Sequence, residues 1–577
     1  DVCSSDLALW AREVVNNAGL VDGKGSNNWV LSGQRTVSGK PLLANDPHLD
    51  LGAPAIWYFA SLQAPAGQRA DGSAQPGLKV MGATLPGLPF VVLGRTDRVA
   101  WGFTNTGPDV QDLYIERIHP DDPDLYLTPK GWEKWQTRQE TIKVKGQADV
   151  NYTARHSRHG PVISDAVPSH AQVLDLKRHV LALRWSALED DNQTVLAGLL
   201  GNEAQSVDDL LQAFAHHHSP MQNVVMADVQ GRIAYKAIGR APQRKPENDL
   251  RGVAPAPGWM EKYDWQGWRS YASNPQDGGE RGWIATANQR VVPAGTPNPL
   301  TQDWALPYRY QRIEQHLDAK ERHDMDSMQR LQNDVTSLAV QKLLPHLLNT
   351  SSKHALAPAA MAELQKFDGT MAADRAAPLI AAVWVDEMVR GVIAPRIGEA
   401  RFKAVYGKRN FRAGLEGMLA SNNLWWCGDA GCPAAATQAL DRALDRIAAL
   451  QGRDVSKWQW GTAHMARSKH QPFGEVAALA PLFNVLRPTG GDTYTVNAGQ
   501  YNPGDAKAPF VNHQAPSMRA VYDLSDLEQS VFIYQTGQSG LVFSSRYRDM
   551  ADEWASGRYR PLQFKPAKWA HELTLRP

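Results

Sequence analysis

Two short apolar runs near the start, Trp29-Val30-Leu31-Ser32 and Pro41-Leu42-Leu43-Ala44, flank a polar turn containing Ser38-Gly39-Lys40. This hairpin signature commits the region to a sheet. Further β-like runs lie at residues 90–93, 113–115, 141–144 and 180–183, with Gly, Pro and Asp between them. The pattern then changes period. Ser206 and Asp209 have capping-box spacing ahead of a helix over 206–217, and helical periodicity dominates from about 325 to 450. Within it, Leu440, Leu444, Ile447 and Leu450 share one face. Short strands are predicted again at 494–496 and 530–533. The chain is therefore predicted to mix α and β, with a sheet-rich core and a largely helical insertion.

Lys plus Arg (61) and Asp plus Glu (60) cancel to a net charge of +1, which leaves no electrostatic footprint for nucleic acid or an anionic membrane. No apolar run approaches the roughly 18 residues needed to cross a bilayer, and the start carries no signal peptide. The length of 577 residues allows several domains or one large catalytic unit. Because the chain opens on Asp1 and residues 1–6 match no recognisable element, a fragment is expected. Three cysteines are few. Cys427 and Cys432 flank a short loop whose spacing suits a local disulfide or two unpaired thiols, and not a zinc site.

The chemistry centres on Ser26, in Gly25-Ser26-Asn27-Asn28-Trp29, followed by Asn45-Asp46-Pro47-His48-Leu49. A serine hydroxyl needs a base, and the serine's own α-amino group serves if the Gly25–Ser26 bond is cut. Other hydrolytic designs are absent. No Ser has Gly at both −2 and +2, and His571-Glu572 lacks the second His of a zinc-protease helix. His216-His217-His218 reads as packing or surface, since consecutive helix positions diverge, and the 19 tryptophans read mostly as core.

Those two strings, together with Leu85-Pro86-Gly87-Leu88-Pro89 and Trp101-Gly102-Phe103-Thr104-Asn105 ahead of Asp109-Val110-Gln111-Asp112, resemble the β-chain of the penicillin acylase family. That family includes penicillin, glutaryl-cephalosporin, aculeacin and acyl-homoserine lactone acylases. The similarity continues through Ala227-Asp228-Val229-Gln230-Gly231, residues 285–289, Trp460-Gly461 and Thr536-Gly537-Gln538-Ser539-Gly540, so it covers nearly everything from Ser26 onward.

The resemblance implies an N-terminal nucleophile hydrolase: an αββα sandwich whose precursor cuts itself before the nucleophile. Residues 1–25 then correspond to a spacer-peptide remnant and 26–577 to the β-chain, with an upstream α-chain as heterodimer partner. Ser26 is the implied nucleophile. The implied oxyanion donors are the Asn105 backbone N–H and the Asn288 side-chain amide. His48 is implied to polarise Ser26 or orient its amine, and it stands where penicillin G acylases carry Gln and the cephalosporin and homoserine-lactone enzymes carry His. Arg312 aligns with a family arginine near the site. Asn28, Asn45 and Asn223 are weaker candidates, because asparagines in turns commonly cap their own backbone. Asp109, Gln111 and Asp112 fall where the family binds calcium, with Asp303 and the Leu250 carbonyl as further ligands; hard oxygen donors on a loop suit that ion.

The function implied is removal of an acyl chain from an amine core, with a small-molecule aliphatic amide such as an N-acyl-homoserine lactone as first choice and a β-lactam as the alternative. A periplasmic location follows from the same resemblance. A reading of a different class is a calcium-stabilised exported binding protein or pseudoenzyme, which has no need of Ser26.

Overall fold

The computed structural model describes residues 25–574 apart from 69, 76, 297–299, 302 and 407–410. All of the expected spacer remnant except Gly25 lies outside the described residues. Seven strands frame the region around Ser26: β1 (Gly25–Leu31), β2 (Leu42–Asp50), β3 (Val99–Asn105), β4 (Gln111–Arg117), β5 (Gln222–Asp228), β6 (Pro242–Arg244) and β7 (Trp283–Thr286).

The expected hairpin forms. β1 and β2 pair antiparallel from Leu31 opposite Leu42 to Gly25 opposite His48. β2 passes through Asn45-Asp46-Pro47-His48 without turning, so these residues are strand and not turn. Pro47 has no N–H for the ladder, but its carbonyl accepts from the Ser517 N–H (2.8 Å) and Ser517 Oγ (2.7 Å).

One seven-stranded sheet runs in the order β7, β1, β2, Met518–Asp523, Val531–Tyr534 and Arg560–Pro561, with Gln514–Pro516 also on β2. The second runs Tyr58–Ala64, Leu78–Thr84, Val91–Thr96, β3, β5, Ile233–Ile238 and Gln276–Asp277, again with neighbours in that order.

Strand alternation sorts the apolar residues into layers. Val30 and Leu43 point into the space between the sheets, clustered with Met81, Leu93 and Val225. Their neighbours Trp29, Leu31, Leu42 and Ala44 point the other way. Three helices complete the sandwich: α1 (Val207–Ala213), α2 (Tyr308–Asp318) and α3 (Met325–Gln332). Ile313 and Leu317 of α2 with Met328 and Leu331 of α3 cover the outer face of the first sheet. Leu210 of α1 and the adjacent Phe214 cover Val80, Val99 and Trp101 on the second. The order helix, sheet, sheet, helix is the expected αββα arrangement. Each fully buried side chain of this kind contributes about 1.5–3 kcal/mol.

The capping prediction holds at α1, where the Asp209 N–H donates to Ser206 Oγ at 3.1 Å. Two long helices, α4 (Ala376–Ile397) and α5 (Gly431–Gln451), dominate the helical subregion and bury Leu379, Val383, Leu440, Leu444 and Ile447 together. Cys427 and Cys432 are disulfide-bonded, which resolves the alternatives at that loop. The strand expected at 494–496 is a turn instead. Asp492 and Thr495 satisfy that backbone locally: the Asp492 N–H donates to Thr495 Oγ1 (2.9 Å) and the Tyr494 N–H to Asp492 Oδ1 (2.7 Å). Among the described residues no helix is long and apolar enough to cross a membrane.

The three consecutive histidines serve packing, as expected. His216 meets Gln193 Oε1 (2.7 Å), His217 meets the Pro220 carbonyl (2.7 Å) and His218 Nδ1 accepts from the Gln193 N–H (3.1 Å). Burial pushes His217 down to about 4 and His464 down to about 3. Both are thus neutral when folded and bind a proton more readily when unfolded. The unfolded state gains protons first as the pH falls below about 6.5, so folding stability declines through the window from there to about 4. Each histidine contributes a slope of up to about 1.4 kcal/mol per pH unit. Unfolding midpoints measured in steps from pH 7 to 4.5 are expected to fall accordingly, and a flat profile would contradict the assignment.

Candidate active site

β1 delivers Ser26 into the interior at the edge of the inter-sheet space. The side chain is 4% exposed, and Ser26 pairs with Pro47 across the hairpin. Its Oγ donates to the carbonyl of Gly25, the residue whose bond is expected to be cut. The Ser26 N–H donates to Asn288 Oδ1 at 2.8 Å, and the Ser26 carbonyl accepts from Arg309 Nη1 at 2.8 Å. Both backbone groups flanking the serine are therefore pinned by side chains from elsewhere in the chain.

Asn288 lies just beyond β7 with φ of 65°, in the left-handed region that a non-glycine residue adopts only when its surroundings hold it there. Three partners do so. Its Oδ1 accepts from the Ser26 N–H and from Arg309 Nη2 (both 2.8 Å), while Nδ2 donates to the Asn105 carbonyl (2.8 Å). These partners fix the orientation of the amide and leave its second N–H uncommitted by them. Asn105, the last residue of β3, turns its side-chain oxygen onto the Gly107 N–H (2.6 Å). Asn288 thus links the Ser26 N–H to the Asn105 carbonyl.

His48 is placed differently from one of its expected roles. Cross-strand partners share a face, so the pairing of Gly25 with His48 and of Ser26 with Pro47 puts the imidazole on the side of Gly25 and Asn27. A Cβ built on Gly25 would stand 2.8 Å from both His48 Cβ and Nδ1, and 2.6 Å from Gln500 Nε2. Only glycine fits before the serine. His48 Nε2 lies 2.9 Å from Asp46 Oδ2, and Nδ1 is buried without a hydrogen-bond partner among the described residues. Burial, reinforced by the charges of Arg309 and Arg519, holds the imidazole well below its usual range and therefore neutral. Asp46, which also accepts from Asn27 Nδ2 (2.8 Å), is pushed up by burial against the pull of Arg519 and Arg309.

Arg312 is not at the site. Its guanidinium pairs with Asp334 (2.6 Å) at the part-buried side of α2. The arginine at the serine is Arg309, one turn earlier, which also donates to Asn27 Oδ1 (2.9 Å). Burial lowers Arg309 to about 10, so it remains a cation at neutral pH. A helical pattern does point to it: Arg309, Ile313 and Leu317 fall at i, i+4 and i+8 and are all buried.

The asparagines regarded as turn caps lie in strands, and Asn28 and Asn45 stitch the two sheets together. Asn28 Nδ2 donates to the Gly102 carbonyl (2.5 Å), and Asn45 Nδ2 to the carbonyls of Asn27 (3.0 Å) and Phe103 (2.9 Å). Gly102 permits this approach, because a Cβ there would lie 2.6 Å from that of Asn45. Asn223 bridges Thr104 Oγ1 (3.2 Å) and the Tyr235 hydroxyl (2.8 Å) behind β3.

A family model described as penicillin amidase matches residues 4–571. The chain belongs to the penicillin amidase family. It is 30% identical over 584 residues to acyl-homoserine lactone acylase QuiP of Pseudomonas aeruginosa, covering 94% of this chain and 67% of that protein. It is 28% identical over 568 residues to penicillin acylase 2 proenzyme of a Pseudomonas species, covering 94% and 67% respectively. Its fold matches that of a penicillin G acylase from Alcaligenes faecalis with a TM-score of 0.72 at 21% identity, covering 96% of this chain and all of the other. As a member of the penicillin amidase family the chain is an amide hydrolase acting on small-molecule amides, which sets aside the non-catalytic binding protein.

In this chain the Asp112 carboxylate, expected to hold calcium, is taken up by nitrogen donors. Asp112 Oδ1 accepts from Arg244 Nη2 (2.5 Å), and Oδ2 accepts from Arg244 Nε (3.0 Å) and Trp265 Nε1 (2.7 Å). N–H donors thus occupy both oxygens that would face a cation. Gln111 opens β4 opposite Trp185. Asp303 is exposed, and the Leu250 carbonyl accepts from the Val253 N–H (2.9 Å). Among the described residues no group of three or more His, Cys, Asp or Glu side chains converges to hold a metal ion.

Proposed function

We propose that this chain carries the nucleophile of an acylase that matures by cutting its own Gly25–Ser26 bond and then removes acyl chains from N-acyl-homoserine lactones or similar aliphatic amides. The observation that supports this reading is the contact of Ser26 Oγ with the Gly25 carbonyl while Asn288 and Arg309 hold the peptide groups on either side. The hydroxyl attacks that carbonyl carbon, the C–N bond breaks as the nitrogen takes a proton, and water hydrolyses the resulting ester. Ser26 is then an N-terminal residue with a free amine.

In turnover the amine, through a bridging water, accepts the Oγ proton as Oγ attacks a substrate amide. The Asn105 backbone N–H and Asn288 Nδ2 stabilise the oxyanion, the amine product leaves, and water releases the acyl group from Ser26. Departure of Gly25 empties the space against His48 Nδ1. A neutral imidazole there, backed by Asp46, orients the new amine and its water instead of touching Oγ.

The homoserine-lactone preference rests on similarity to a protein of that name and on His48; the similarity to a penicillin acylase supports β-lactams as the second class. An α-chain from the same precursor completes the acyl pocket in this reading. The Cys427–Cys432 bond supports an oxidising compartment such as the periplasm. The test is expression of the full-length protein, N-terminal sequencing, and side-by-side assay of N-acyl-homoserine lactones and penicillins. A chain beginning at Ser26 that hydrolyses the lactones faster is expected. An active protein with an intact Gly25–Ser26 bond would sink the proposal, and faster penicillin hydrolysis would overturn the substrate class.

A further inference from the structure

We propose that the Arg244 guanidinium is a built-in cation at the Asp109–Asp112 segment, and that this enzyme folds and is held together there without calcium. The guanidinium forks Asp112 through Nη2 (2.5 Å) and Nε (3.0 Å), donates from Nη2 to the Asp109 carbonyl (3.0 Å), and stands 3.6 Å from Asp109 Oδ1. One planar cation thereby satisfies two side chains and a main-chain oxygen, the same classes of donor that a hard metal would gather. Its geometry matches a carboxylate bidentately, which a point charge cannot do.

The surroundings are shaped around this ion pair. Asp112 is 5% exposed and Arg244 12%, so solvent screens the attraction little. The Trp265 indole N–H completes the Asp112 carboxylate at 2.7 Å, and the Arg184 guanidinium lies 4.8 Å from the centre of that ring. Gly252, with φ of 77°, closes over the pair; a Cβ there would fall 2.5 Å from both Arg244 Nη2 and Asp112 Oδ1. A divalent ion brought to Asp112 would meet a fixed positive group and have to displace it. Calcium prefers six to eight oxygens, whereas here nitrogen donors already hold both Asp112 oxygens.

The pair also ties together distant parts of the fold. Arg244 ends β6, and Asp109 to Asp112 connect Asn105 at the end of β3 to the start of β4. The tether thus acts on the segment leaving the Asn105 backbone, 132 residues from Arg244 at Asp112.

The test uses the full-length protein. Thermal unfolding is measured in EGTA and in millimolar calcium chloride, and metal content is measured after dialysis against metal-free buffer. Equal midpoints and no stoichiometric calcium are expected; a midpoint raised by calcium, or one retained equivalent, would overturn the proposal. Arg244→Lys keeps a positive charge and loses the fork, so it is expected to fold with a midpoint lower by about 2 °C or more. A midpoint equal to that of the unaltered protein would show that the guanidinium holds nothing.

Discussion

Replacing Ser26 by alanine in the full-length precursor is expected to leave the Gly25–Ser26 bond uncut and to reduce amide hydrolysis by about 10⁶-fold, the scale seen when a serine nucleophile is removed. In the proposed scheme both losses have one cause, because there the same oxygen opens the precursor and attacks the substrate. The variant is expected to fold. The hydroxyl's hydrogen bond goes to the neighbouring Gly25 carbonyl, while Asn288 and Arg309 hold backbone groups that alanine retains. Intact mass reports processing and release of free homoserine lactone reports turnover. A cut chain, or hydrolysis near the original rate, would remove Ser26 from the chemistry.

Truncating Asn288 is expected to cost 10² to 10³ in kcat, about 3–4 kcal/mol of barrier, with KM changed far less, because an oxyanion donor acts where charge develops in the transition state. Alanine would also strain the backbone, given the φ of 65°. Asn288→Gly avoids that strain and isolates the loss of the amide. Arg309 would still hold the Ser26 carbonyl and Asn27 in that variant. A glycine variant within threefold of the original kcat would show that the oxyanion is held elsewhere.

The hairpin, the capped helix at 207–213 and the long helices of the 325–450 region were legible in the sequence because their signals are local: alternation, cap spacing and a repeating apolar face. The candidate nucleophile was legible for the same reason, since Gly25, Ser26 and the asparagines are contiguous. The strand at 494–496 failed because Asp492 and Thr495 offered that backbone local partners that no alternation pattern reveals. Asn28 and Asn45 were misread as turn residues because their partners, Gly102 and Phe103, lie on the opposite sheet.

The arginine at the site shows both sides of this limit. Alignment by family string favoured Arg312, but the helix decides by rotation: Arg309 shares the buried stripe with Ile313 and Leu317, and Arg312 is turned toward Asp334.

What the amino-acid order determined by itself was the identity of the elements with a strong local signal and the chemistry available along them, because periodicity and propensity act over a few residues. What only the tertiary structure decided was which distant groups meet. The guanidinium that grips Ser26 comes from 283 residues away, and the one that forks Asp112 from 132 residues away. Such partners are selected by how the sheets and helices close on one another, and a buried charge stays only where that closure supplies its complement.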